Sequence, residues 1–116
     1  MLRGRALLES FLCEVVPEPP PDLMATLPPL PAGKSMTKRE RLARHRTDPF
    51  CASCHDAIDP PGLALENYDA VGVHRTSEGG LPIDASGEIV GARFSSPTEM
   101  ARVLAEAPAT SACLVR

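Results

Sequence analysis

Residues 48–65 read DPFCASCHDAIDPPGLAL, and at their centre stands Cys51-Ala52-Ser53-Cys54-His55. This C-x-x-C-H pattern is the covalent attachment sequence of c-type haem. Its spacing has a mechanical basis. Two thiols three residues apart on a helical turn face the same side, so both can bond the vinyl groups of one porphyrin. The next residue then sets an imidazole against the iron as proximal ligand. The pattern implies one covalent haem c, attached at Cys51 and Cys54 and ligated by His55. Two other chemistries use the same residue types. A zinc site would recruit Cys13, Cys113 or His55 into a tetrahedral set, but a second close cysteine pair is missing. A thioredoxin-type redox pair calls for a strand before it and a long helix after it. The flanks Asp48-Pro49 and Asp59-Pro60-Pro61 do not suggest that setting.

Working outward, Asp59-Pro60-Pro61-Gly62 reads as a proline–glycine turn. It leads into Leu63, Ala64 and Leu65, a loop that can press on a porphyrin edge and exclude water. Asp56, Asp59 and Asp69 carry no partner signal and read as turn-formers and helix caps. Upstream, Thr37 with Glu40 three residues on predicts a capping box. The helix it opens, TKRERLARHR, ends before Asp48-Pro49, since a proline disfavours helical backbone in its predecessor. Lys38, Arg39, Arg41, Arg44 and Arg46 read mainly as a solvated face with surface ion pairs. At most one arginine is expected to reach a haem propionate.

Three segments complete the plan: residues 1–14, an N-terminal helix; 15–35, a proline-rich linker; and 36–116, the haem domain. On the first helix Leu8, Phe11 and Leu12 share a face. The linker holds seven prolines between Pro17 and Pro31, which favour an extended polyproline II spacer along the domain surface. Residues 71–91 read as irregular β structure, with turns at Glu78-Gly79-Gly80 and Ser86-Gly87. A last helix starts at Ser96, with Pro97 first and Glu99 closing a second capping box. Met100, Val103 and Leu104 form its apolar stripe, and Ala107-Pro108 ends it. The closing SACLVR stops on a helix-compatible pattern without a cap, as in a domain truncated at its C-terminus.

The sixth iron position has several candidates. Met100, on an apolar helix face, would raise the reduction potential, although a methionine at that spacing reads first as core. His45 or His74 would give a lower-potential bis-imidazole site, and an open position is the remaining case. Cys13 and Cys113 read as a disulfide suited to an oxidising compartment, with two buried free thiols as the alternative.

Composition bounds these readings. The chain has 116 residues, 43% hydrophobic, with three Phe, one Tyr and no Trp, while 13 residues are Pro. A domain of that size buries only about two thirds of its unfolded surface, so an aromatic-poor core is thin and a macrocycle would serve as the missing part. The formal charge of -3 argues against a basic nucleic-acid binder, and no apolar run is long enough for a membrane span. No hydrolytic triad, phosphate loop or paired-carboxylate site stands out, so a non-enzymatic role is expected. The expected class is mainly α, a small cytochrome c-like helical domain with a short β-hairpin insertion. Its function would be electron transfer, with a redox partner protein or neighbouring domains of a larger chain. The runner-up is a zinc- or disulfide-stabilised structural or interaction module without redox activity. A peroxidase-like activity would require an open iron.

The run TKRERLARHRTDPFCASCHDAIDPPGLALENYDAVGVHRT, followed by LPIDASGEI, resembles the cytochrome c-like domain of large exported proteins from planctomycetes and myxobacteria. That family is described by domains of unknown function. The opening RGRALLESFLCEVVPEPPPDL is similar to the segment preceding the haem motif in such proteins. The resemblance implies periplasmic or cell-surface placement and haem held through Cys51, Cys54 and His55. It also embraces His45, and it does not demand methionine at position 100. Members are usually several hundred residues long, so this chain reads as a fragment of such a protein.

Overall fold

One helix organises the molecule. In the computed structural model, which describes residues 2–22, 27 and 29–115, helix α3 runs from Pro49 to Ala64 and packs against the first, second and fourth helices and the second hairpin. Before it come α1 (Leu2–Leu12) and α2 (Lys38–His45). A 3-10 turn over Leu65–Asn67 follows it. Two hairpins come next, β1 (Ser77–Glu78) with β2 (Leu81–Pro82), and β3 (Gly87–Ile89) with β4 (Ala92–Phe94). Helices α4 (Pro97–Glu106) and α5 (Pro108–Leu114) close the chain. The architecture is mainly α with short antiparallel β insertions, as the sequence predicts.

The expected turn at Asp59–Gly62 is instead continuous helix, with Pro60 and Pro61 inside α3. Interior prolines remove two helical hydrogen bonds and crowd the preceding turn, at about 3 kcal/mol each in isolation. Packing offsets that cost here. Asp59, Pro61, Gly62, Leu63 and Ala64 are all buried. Arg3 of α1 donates to the carbonyls of Leu65 (2.7 Å) and Tyr68 (2.8 Å), just beyond the end of the helix. These bonds supply partners for carbonyls that a helix terminus leaves unmet.

Helix α1 lies against α3 by way of Gly4. A Cβ built there would stand 1.8 Å from the Ile58 carbonyl oxygen and 3.0 Å from the Gly62 nitrogen. Gly4→Ala is therefore expected to lower the unfolding free energy by about 3 kcal/mol, the upper end of ordinary overpacking. Urea denaturation measures this, and a loss under about 1 kcal/mol would mean that α1 shifts freely on α3. The buried face of α1 is Gly4 and Leu8, with Leu7 and Leu12 beside them. Phe11, expected on that face, is 40% exposed. The core gathers Leu8, Ala64, Ile89, Phe94, Met100 and Leu104. Arg5 pairs with Glu9 and, at 2.7 Å, with Glu18 of the proline-rich segment, tying its first residues to α1. Leu23–Thr26 and Pro28 of the expected spacer lie outside the described residues.

The first hairpin turns at Gly79–Gly80, both with positive φ. The second was not foreseen. Its turn is Val90–Gly91 (φ 48° and 77°), the twist that tight hairpins favour. Ser86 is not at that turn but before β3, its N–H donating to Asp84 Oδ1. Gly87 is required by close packing, since a Cβ would meet the Phe94 ring at 2.6 Å. The N-terminus of α4 is capped by Ser96, which accepts from the Glu99 N–H. The Glu99 carboxylate reaches Ser95, one residue earlier than a reciprocal box requires, and accepts from its hydroxyl and N–H. Those two bonds hold the Glu99 carboxyl below its ordinary range.

Candidate haem-attachment site

The site is built at the junction of α2 and α3. Thr37 and Glu40 form the reciprocal capping box at the start of α2. Three residues, 46–48, separate the helices. Asp48 caps α3 by accepting from the Phe50 N–H at 2.9 Å, with Pro49 at the first helical position. The sharp reversal places the His45 and His55 rings in edge contact, centres 4.7 Å apart.

Cys51, Cys54 and His55 occupy the first turns of α3. At about 100° per residue they fall within an arc of about 100°, so the two thiols and the imidazole share one side of the helix. Both thiols are free and partly exposed. Phe50, next to them, is 59% exposed. Cys13 and Cys113 are joined to each other as a disulfide. They are therefore not available to complete a zinc site with Cys51 and Cys54.

The His55 ring is anchored from behind. Its Nδ1 lies 3.0 and 3.2 Å from the two carboxylate oxygens of Asp59, one helical turn on. Asp59 is fully buried, and Arg46 Nε stands 3.9 Å from it. Arg46 also pairs with the exposed Asp56 at 3.3 Å. Asp59 is thus neither a turn-former nor a cap, as its sequence setting had suggested. It is the hydrogen-bond partner of the His55 ring. Asp69 does form a turn, accepting from the N–H groups of Val71 and Val73, and these bonds lower its pKa.

The candidates for a second axial ligand are placed differently. Met100 is packed in the apolar core with Ala64. That residue lies about 13 Å along α3 from His55 at 1.5 Å per residue. His45 touches His55 directly. Two imidazoles on opposite faces of one metal have nitrogens about 4 Å apart, from bonds of about 2 Å each, and rings directed away from one another. Edge contact at 4.7 Å is a different arrangement, that of a side chain packed on the flank of the His55 ring. His74 instead pairs with Tyr68 across a bridge, ring centres 5.5 Å apart.

The basic segment also acts structurally. Lys38 binds Glu66 at 3.0 Å, and Arg39 donates to the carbonyls of Asp84 and Ser86. Ser86 and Arg39 together depress the Asp84 pKa, the Ser86 hydrogen bonds most strongly. Glu66 has a structural role that the sequence does not announce. Buried beneath Arg3, Lys38 and Arg75, it links α1, α2 and the strand-like segment after α3. A carboxylate four residues after His55 was a legible signal, because positions i and i+4 meet on a helix. It was hidden by the expectation of a turn at Asp59.

Among the described residues, no group of three or more His, Cys, Asp or Glu side chains is arranged to hold a metal ion. Haem attachment asks less of the cluster, namely two thiols for carbon–sulfur bonds and one imidazole for iron. Among curated proteins and among solved structures, no match to the chain is found. A family profile described as PSCyt3, a protein of unknown function (DUF1588), matches residues 1–78, a stretch that takes in α1, α2, the whole of α3 and the Glu66 cluster. The chain belongs to this PSCyt3 family of proteins of unknown function.

Proposed function

We propose that the chain is a c-type haem-binding electron-transfer module of the planctomycete and myxobacterial kind, part of a larger exported protein. Cys51 and Cys54 hold the porphyrin and His55 ligates its iron. The observation that carries this reading is the state of the three side chains. Two unpaired thiols and an imidazole share one side of α3, and the imidazole has Nδ1 engaged by a buried carboxylate. Nε2 is thereby the nitrogen left for a metal. Each thiol adds across one vinyl group, its sulfur bonding to carbon and its hydrogen passing to the neighbouring carbon. When bound, the haem supplies one-electron redox chemistry. The disulfide Cys13–Cys113 suits the same oxidising compartment as haem attachment. A redox partner protein or neighbouring domains of the parent chain would exchange the electron.

The test is expression in a host that exports and attaches haem c. The expected product is red, with a sharp reduced α-band that survives acid-acetone extraction. The double variant Cys51→Ala/Cys54→Ala is expected to retain less than a tenth of that covalent haem. A colourless wild-type protein carrying one equivalent of zinc would overturn the reading in favour of a structural module.

A further inference from the structure

The surroundings of His55 assign a role to Asp59. We propose that Asp59 is the positioning residue of this site. It fixes the His55 imidazole as its Nδ1–H tautomer, presents Nε2 as the ligating nitrogen, and biases a bound haem iron toward the ferric state. The redox half of this proposal rests on the haem reading above, whereas the tautomer half does not.

The argument begins with burial. A carboxylate removed from water is costly unless its oxygens are met by donors. Asp59 is fully buried, and its polar neighbours are His55 Nδ1 at 3.0 and 3.2 Å and Arg46 Nε at 3.9 Å. Both carboxylate oxygens lie at nearly equal distances from Nδ1, 3.0 and 3.2 Å, the geometry of one N–H donor shared by two acceptors, and this arrangement places the proton on Nδ1. The lone pair is then on Nε2. The packing restricts the ring further, with His45 against its edge and its own side chain only 14% exposed. Flipping the ring would leave Asp59 without its nearest donor.

The same bond has an electronic consequence. A carboxylate that draws on Nδ1–H pushes electron density toward Nε2 and makes the imidazole a stronger donor, an effect known for outer-shell partners of metal-bound histidines. A stronger proximal donor favours the more highly charged iron, which lowers the reduction potential. Arg46, with Nε 3.9 Å from Asp59 Oδ2, is itself shared with Asp56. It therefore tempers the pull on His55 without replacing it.

Two measurements decide the matter. In alkaline buffer, long-range 1H–15N NMR of the full haem-free chain is expected to show His55 as Nδ1–H. Finding Nε2–H in the wild-type chain would overturn the proposal whether or not the protein binds haem. On the haem-loaded protein, Asp59→Asn is expected to shift the reduction equilibrium at least tenfold toward ferrous iron, about 59 mV for one electron. The control Asp56→Asn, whose side chain pairs with Arg46 and not with the His55 ring, is expected to move the potential far less than Asp59→Asn does and to leave the haem spectrum unchanged. An unchanged potential in Asp59→Asn, or an equal shift in Asp56→Asn, would also overturn it. The wild-type tautomer requires no variant, so that arm stands even where Asp59→Asn fails to fold. Failure of the wild-type chain to take up haem sinks the haem reading alone and leaves the tautomer to decide the role of Asp59.

Discussion

The double variant Cys13→Ser/Cys113→Ser is expected to lose about 4–5 kcal/mol of stability relative to the oxidised wild-type chain. The bond joins residues separated by 100 positions. In the chain-entropy view a loop of that length restrains the unfolded ensemble by about 4.7 kcal/mol. The bond also fastens the C-terminal end of α1 to α5, so α1 has little freedom to leave its place on α3. Urea denaturation of the oxidised, reduced and double-serine proteins measures the loss. The reduced and serine forms are expected to coincide. A difference of less than about 1 kcal/mol between oxidised and serine forms would show that the clasp is mechanically idle.

Glu66→Ala is expected to cost about 3 kcal/mol. Its carboxylate is 5% exposed and meets Arg3 at 3.0 Å, Lys38 at 3.0 Å and Arg75 at 2.7 Å. Removing one partner from a buried ionic group costs roughly 3–5 kcal/mol, because the opposite charges remain uncompensated. The lower end applies here, since the three cations are 31–38% exposed and can turn toward water. Arg75 Nε also donates to the Glu66 carbonyl at 2.8 Å, a bond that survives the substitution. Glu66→Gln preserves volume but not charge, and a loss of about 2 kcal/mol is expected. Equal stability of Glu66→Ala and wild type in urea would contradict the account of Glu66 as the tie between α1, α2 and the Arg75 segment.

Much of the local structure was legible because it depends on short-range chemistry. Thr37 with Glu40, Asp48 with Pro49, and Ser96 with Pro97 mark helix starts through bonds within four residues. Gly79–Gly80 likewise places the first hairpin, since glycine tolerates positive φ. Asp59-Pro60-Pro61-Gly62 was misleading for the complementary reason. Its local preference is a turn, and only burial against α1 makes helix the better state. Val90 is a similar case, a β-branched residue at φ 48° that local preference would place elsewhere.

The sequence by itself determined the chemistry on offer: two thiols and an imidazole in the C-x-x-C-H register, which any helix would set on one side. It also determined that such a chain, poor in aromatics and rich in proline, needed support beyond apolar burial. Tertiary structure decided how the imidazole is held and what the support is. Asp59 holds His55 because both lie on α3 one turn apart and Asp59 is buried there, and the packing of that helix relies on Gly4 letting the backbone of α1 approach Ile58. Glu66 joins residues from 9 to 63 positions away, separations at which local patterning carries no signal, whereas the Cys13–Cys113 bond is the disulfide that the sequence reading expected. Which groups meet across such distances is settled by packing, where burial turns an ordinary carboxylate into an anchor.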